Sequence, residues 1–283
     1  MIRLDFLRAA CLLWLGVGIV FGGVHDWTIL PPVIAYVLLA IDGVARPGSG
    51  WLMPVIRHGD RKERNVALTF DDGPDAVITP RILDVLRSHG AYATFFVIGR
   101  YAQEHPELVK RILDEGHELG NHSHGHSRLL NLHPRRHMQQ DIELGIAILN
   151  KMGAPGAGKL YRPPMGLKNP VLARIQRSLG LRVIAWSLHA GDTRKPDASS
   201  IVRRVLGRIR PGDIVLFHDG HDLPHRRRGM AVVEALEKIL PGLKDKGLAT
   251  VTVTELLSDT PRRVSAVVPA AAARVNAEQR FRA

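Results

Sequence analysis

The sequence predicts an α/β fold, a closed or nearly closed parallel barrel with its polar chemistry gathered at one end. Three observations lead there. Seven short segments of strand composition lie between residues 65 and 253, helical patterns alternate with them, and polar clusters recur where the strand segments end.

The elements follow in order. Residues 65–70 (NVALTF) form the first strand; Thr79 with Pro80 behind it marks a helix start, and RILDVLRSHG carries apolar residues at helical spacing up to Gly90. Residues 93–98 (ATFFVI) are the second strand, 104–115 its helix, and 117–120 a short third strand running into NHSHGHS. A helix is expected over 135–152, a short strand ending at Tyr161 and Arg162, a helix over 171–179 and a strand over 182–186 (RVIAW). Helix 199–209, strand 213–217 (DIVLF), helix 230–246 and strand 249–253 (ATVTV) complete the alternation. In such barrels the active site sits at the carboxyl ends of the strands. Asp71 and Asp72 follow the first strand, His122 to His126 the third, Arg162 the fourth; Asp192 lies past the fifth, and His218 and Asp219 end the sixth.

Composition sets outer limits. With 283 residues, 45% hydrophobic, the chain can bury a globular core and is not a disordered polymer. The single cysteine, Cys11, excludes an internal disulfide framework and a cysteine-only metal cage, so any metal must use the 14 histidines and the carboxylates. A formal charge of +12 attracts nucleic acid, anionic lipid or acidic glycan alike. No nucleic-acid-binding module is present in the pattern, so no nucleic acid is expected as partner, and the charge is assigned to a membrane surface or an anionic glycan.

Residues 9–24 are uncharged, His25 and Asp26 interrupt, and 27–41 are uncharged again with Pro31 and Pro32 inside. Each run is shorter than the roughly 20 residues of a comfortable span. One anchor, a two-span hairpin and an uncleaved signal all fit; a membrane anchor over 1–45 is the expectation, with a buried helix pair as the alternative. Arg3 and Arg8 precede the runs, and Arg46, Arg57, Arg61, Lys62 and Arg64 follow them. A hairpin therefore keeps the remainder inside a bacterial inner membrane, and a single span exports it. A linker is expected over 46–64, the catalytic domain over 65–257 and a flexible tail over 258–283. The basic stretch HDLPHRRR (221–228) is a candidate anion contact, although a solvated loop is the plainer reading.

The chemistry starts from TFDDGPD (69–75). An Asp-Asp-Gly-Pro turn by itself is usually only a turn. HSHGH adds His122 and His126 four apart, with His124 between them. Two imidazoles and one acid make a hydrolytic zinc site with room for water, and Asp72 would be that acid.

TFDDGP (69–74), HSHGH (122–126), RPPMG (162–166), Asp192 and LFH (216–218) together resemble, in order, the five motifs of the polysaccharide deacetylases, the chitooligosaccharide-deacetylase-like carbohydrate esterases. The resemblance covers about 65–257 and implies a distorted, incomplete (β/α)7-8 barrel. It also implies hydrolysis of the N-acyl group of an amino sugar with one divalent ion, Zn2+ or else Co2+, Ni2+ or Mn2+. By this resemblance Asp72, His122 and His126 are the metal ligands and Asp71 the base that takes a proton from water. Adjacent acids are needed because one carboxylate holds the ion while its neighbour reaches the water. His218 is then the acid that protonates the leaving nitrogen, Arg162 the arginine that orients the base, and Asp192 the acid that orients the histidine. Pro163, Met165 and Leu216 line the substrate pocket, the backbone N–H of Met165 facing the oxyanion. Three departures stand out. Methionine replaces the usual tyrosine at 165, and in HAGDT (189–193) His189 and Thr193 replace the first acid and the tryptophan of Asp-x-x-Asp-Trp. Losing that aromatic wall leaves formyl or a larger acyl group open beside acetyl. The expected substrate is a glycan or a lipid-linked amino sugar; the competing class is a membrane-tethered, non-catalytic glycan-binding protein on the same fold.

Overall fold

The computed structural model of the chain describes residues 26–193, 197–220 and 226–258 and positions 9, 12–14, 16 and 17, without the side chains of 26–29 and 226–228. Most of the first apolar run, loop residues 221–225 and the expected tail beyond Ser258 lie outside the described residues.

Strand β1 (Asn65–Asp71) is the hub. It pairs in parallel with β2 (Ala93–Val97), β7 (Ile214–His218) and β8 (Ala249–Thr250). β3 (Glu118–Asn121), β4 (Leu160–Tyr161) and β5 (Arg182–Val183) continue on one side and β6 (Leu188–His189) on the other, in the order β5-β4-β3-β2-β1-β7-β6. β5 and β6 are the two ends of this path, so the sheet curls into a half-barrel. This is the incomplete barrel that the resemblance implied, and it corrects the closed form read from the strand count. Four of the eight strands are two residues long and offer too few hydrogen bonds to carry the sheet round.

Residues 56–59, expected as linker, hydrogen-bond near both ends of the curl. Ile56 bridges Ile184 beside β5, and His58 bridges Asp213 at the foot of β7. The N–H of Ile56 donates to Val183 O at 2.9 Å and that of Gly59 to Gly212 O at 2.8 Å.

Alternation along the strands decides what faces the interior of the curl. Val66, Leu68 and Phe70 of β1, Phe95 and Val97 of β2, and Val215 and Phe217 of β7 pack outward in the main core, with Ile82 and Leu86 of α2 (Ile78–Ser88) and Leu236 of α8 (Arg226–Asp245). Phe70 stacks on Phe95 and Phe217 with ring centroids 5.0 and 5.5 Å apart. The complementary register sends Thr69, Asp71, Phe96, Leu216 and His218 to the inner face. Position in the pleat therefore selects the catalytic candidates.

The helices differ from expectation at particular ends. One helix over 104–115 is instead α3 (Gly99–Glu104) and α4 (Pro106–Asp114), broken at His105 because Pro106 bars the residue before it from helical backbone. Thr79 does not cap α2: the Asp75 carboxylate accepts from the N–H groups of Val77 and Ile78, both at 2.8 Å. Strand β8 stops at Thr250 because Thr252 and Glu255 form a capping box that starts α9 (Val253–Leu256). α5 (Arg135–Lys151), α6 (Pro170–Leu179) and α7 (Ala198–Arg208) lie close to their expected spans, the last two capped by Asn169 and Asp197. Helix α1 (Asp26–Ala45) precedes the barrel. Among the described residues no helix is long and apolar enough to cross a membrane.

Truncating the aromatic stack measures its share of stability. Phe70→Ala is expected to cost about 3–5 kcal/mol in denaturant unfolding; a midpoint unchanged from wild type would contradict the packing described.

Candidate active site

The inner face of β1 ends in Asp71, and the next residue, Asp72, turns into left-handed backbone at φ 75°. Ser123, His126 and Met165 have φ of 68°, 51° and 58°. Among the described residues these four are the non-glycine positions with positive φ, and all lie on loops leaving strand ends. Strain of this kind persists where the surroundings fix a residue against its preference.

The strained turns aim three donor atoms at one another. Asp72 Oδ1 lies 3.3 Å from His122 Nε2 and 3.1 Å from His126 Nε2. One ligand atom from each of the three residues falls within 4.8 Å of the other two. His122 Nδ1 lies 2.7 Å from the carbonyl of Arg162, an acceptor for Nδ1–H that frees Nε2 to give up its own proton and ligate when a cation replaces the Asp72 contact. Burial opposes charge on Asp72, but hydrogen bonds from His122 and His126 outweigh it and hold the carboxyl well below its ordinary value. An acid and two imidazoles, that of His122 held from behind by the Arg162 carbonyl, fit a divalent cation with a position left open. These are the three residues singled out as ligands from the motifs.

Asp71 faces the same space but is held differently. Its Oδ1 accepts from Arg162 Nη1 at 2.6 Å, and its Oδ2 lies 3.8 Å from His122 Nε2. Arg162 is fully buried. Its guanidinium also donates to Thr69 Oγ1, Ile184 O and Ala185 O, and lies 4.0 Å from the Phe96 ring centroid.

The remaining pair sits at the end of β7. Asp192, fully buried, accepts from the His218 N–H at 2.8 Å and from His218 Nδ1 at 3.1 Å. Burial works against a cationic ring, but the Asp192 charge and hydrogen bond prevail and raise His218 to about 9. Nδ1 is thus committed to the carboxylate, and Nε2 is the nitrogen available to a substrate. Register places Asp71 opposite His218 across β1 and β7. Pro163 is buried, Leu216 is buried on the inner face of β7, and Met165 projects with 59% of its surface exposed.

Two neighbours of the site, Trp186 and Thr79, were given no role there from the sequence. Trp186 was read only as the end of a strand; its ring lies 5.7 Å from the Arg162 guanidinium and edge-on to His189 at 6.2 Å. The His189 ring lies 5.8 Å from that of His218. Thr79 accepts from the Asp75 N–H at 2.8 Å and donates to Asp219 Oδ2 at 2.6 Å, tying the acid-bearing turn to the end of β7. Asp219 is raised by burial to about 7. The Thr79 tie was not legible because it joins residues 140 apart in the chain. The candidate anion loop 221–228 lies outside the described residues or their side chains.

An open α/β barrel with an acid, two imidazoles, a buried arginine–aspartate pair and a charged histidine at its strand ends defines a barrel hydrolase. The polysaccharide deacetylase family model matches residues 58–184. A peptidoglycan-N-acetylglucosamine deacetylase of Bacillus cereus is 41% identical over 197 residues, spanning 69% of this chain and 89% of that protein. A chitooligosaccharide deacetylase of Rhizobium leguminosarum bv. phaseoli is 37% identical over 213 residues, 69% of this chain and 90% of its own. The crystal structure of a peptidoglycan N-acetylglucosamine deacetylase bound to a naphthalenyl N-hydroxybenzamide superposes with TM-score 0.66 at 35% identity, covering 73% of this chain and 94% of that one. The chain belongs to the polysaccharide deacetylase family.

Titration of the metal-free protein by imidazole NMR tests the electrostatics. His218 is expected to lose its proton near pH 9 and, in Asp192→Asn, at a markedly lower pH. Because its folded value lies above the unfolded one of about 6.5, its stabilising contribution is complete below about 6.5 and disappears as pH rises through about 9. A His218 that titrates identically in both proteins would contradict the pairing.

Proposed function

We propose that this chain is a metal-dependent N-deacetylase of an amino sugar in a glycan or on a lipid carrier, tethered to a bacterial membrane through residues 1–45. The observation that carries the reading is the meeting of Asp72, His122 and His126 beside an acid, Asp71, whose Oδ1 is taken by Arg162 while Oδ2 faces His122.

Asp72, His122 and His126 would hold the cation, with zinc the expected ion for this donor set. When bound, a divalent ion supplies Lewis acidity to the amide carbonyl and to the attacking water. The chain's own groups do the rest. Arg162 fixes Asp71 Oδ1, so Oδ2 is the oxygen that takes the proton from water as it attacks the acyl carbon. His218, held through Nδ1 by Asp192, delivers a proton from Nε2 to the sugar nitrogen, so that an amine leaves in place of an amide anion. Its elevated pKa keeps that proton in place at neutral pH. The Met165 backbone N–H is assigned to the oxyanion, and Pro163 and Leu216 to the acyl pocket. Base and acid come from adjacent strand ends, Asp71 of β1 and His218 of β7.

Acetyl is the acyl group adopted, in keeping with the deacetylases it resembles. The cluster of Asp72, His122 and His126 beside the Asp71–Arg162 pair, with the Asp192–His218 pair on the neighbouring strand end, supports an enzyme over a non-catalytic glycan-binding protein.

Metal analysis joined to turnover tests this. Wild type is expected to bind about one zinc per chain and release acetate from an N-acetylglucosamine oligomer, with metal lost in Asp72→Ala and His126→Ala. Asp71→Asn is expected to keep the metal and lose about 10²–10⁴-fold in kcat; undiminished kcat in that variant would remove Asp71 as the base.

A further inference from the structure

Beyond the catalytic groups, two clusters of exposed large apolar side chains stand out among residues 26–258, with Leu144 on α5 exposed apart from them. In α1, every position from 30 to 38 except Pro32 is exposed, including Leu30, Val33, Ile34, Val37 and Leu38. This stretch is apolar on all sides, and a helix of that kind is satisfied by an apolar medium around it. The second place is the mouth of the active site. Leu129 and Leu132, on the loop that leaves His126, are 61% and 79% exposed, and Met165 stands out from the loop after β4.

Buried polar ties join the two places into one rim. Lys168 has no exposed surface; its Nζ donates to Arg46 O at 2.6 Å and Pro47 O at 2.8 Å, while its N–H donates to Val44 O. The loop carrying Met165 is thereby fastened to the C-terminal end of α1. One residue further on, Asn169 Nδ2 donates to Asn131 O at 2.7 Å and fastens the same loop to the Leu129–Leu132 turn. Exposed Arg128, Arg135 and Arg136 flank the two leucines. Apolar tips set among arginines match the boundary between anionic headgroups and acyl chains, where cations meet phosphate and leucines meet hydrocarbon. The chain's formal charge of +12 acts in the same direction.

We propose that this rim rests on an anionic lipid bilayer, with Leu129 and Leu132 seated at the acyl boundary and α1 immersed beside them, so that the active site opens onto the headgroup layer. The amino sugar then arrives from the membrane plane, on a lipid carrier. That last clause rests on the deacetylase reading; the docking itself does not.

The test uses the full chain with Cys11→Ser and Leu132→Cys, labelled at 132 with an environment-sensitive fluorophore and reconstituted into vesicles. In phosphatidylglycerol-containing vesicles the emission is expected to shift to the blue and to be quenched by lipids carrying a nitroxide on the acyl chain. Pure phosphatidylcholine vesicles, high salt or the combined Arg128→Glu, Arg135→Glu and Arg136→Glu changes should reverse most of the shift. A label at exposed Glu237 on α8 should stay in water throughout. Emission from position 132 unchanged between buffer and anionic vesicles would overturn the proposal. So would a blue shift in buffer that grows with protein concentration, which would mark a second copy as the occupant. Turnover of a soluble N-acetylglucosamine oligomer and of a lipid-linked N-acetylglucosamine by the wild type is measured alongside: absence of both counts against the deacetylase reading, and turnover of either without insertion counts against the docking alone.

Discussion

A guanidinium with no exposed surface holds this site together. Burying a cation is costly unless charge and hydrogen bonds replace the lost water. Arg162 meets that demand with the Asp71 carboxylate, the Thr69 hydroxyl, the carbonyls of Ile184 and Ala185, and the face of Phe96. These partners come from β1, from β2 and from the segment after β5, so one side chain spans the hollow of the half-barrel. Its backbone acts as well, because the Arg162 carbonyl fixes the His122 tautomer. The same residue therefore orients the acid that works on water and one of the imidazoles beside it. A partial loss of Arg162 contacts would disturb both at once.

Two acid–histidine arrangements of opposite character then stand at the ends of neighbouring strands. Asp72 faces the ring nitrogens of two histidines and stays ionised despite its burial. Asp192 faces one histidine and keeps that ring charged. A carboxylate ready for a cation and an imidazolium ready to donate a proton are thus prepared by the same kind of pairing. Asp219, behind the Asp71–Asp72 turn, is pushed up to about 7 by burial and by its acidic neighbours, and Thr79 satisfies one of its oxygens. The strained backbone of Asp72, Ser123, His126 and Met165 falls on these loops, where ties such as Thr79–Asp219 and Asn169–Asn131 hold it.

Much of this was legible in the residues. The five- and seven-residue strands β1, β2 and β7 and the long helices announced themselves through composition and period, and alternation within β1 and β7 already sends Asp71 and His218 to one face. The ligands and their charged partners were found because each lies where a strand ends. Other features depend on distance contacts that no local pattern carries. Leu188–His189 forms a strand only because β7 lies beside it, so the run 182–186 looked like a single strand and the curl looked closed. Pro106 and the Thr252–Glu255 box, by contrast, were visible signals whose consequences, a broken helix and a shortened strand, were not drawn. Trp186 gave no sign beyond being aromatic, and the clamp of Lys168 on α1 joins residues 121 and 122 apart in sequence.

The account comes down to why two adjacent acids differ: Arg162 holds Asp71 back while Asp72 turns toward the imidazoles. A crystal structure of the zinc-loaded protein tests that division most directly. It should show the ion on Asp72, His122 Nε2 and His126 Nε2, with Asp71 still bonded to Arg162 and off the metal. Zinc ligated by Asp71, or an Arg162 guanidinium turned away from it, would contradict the account.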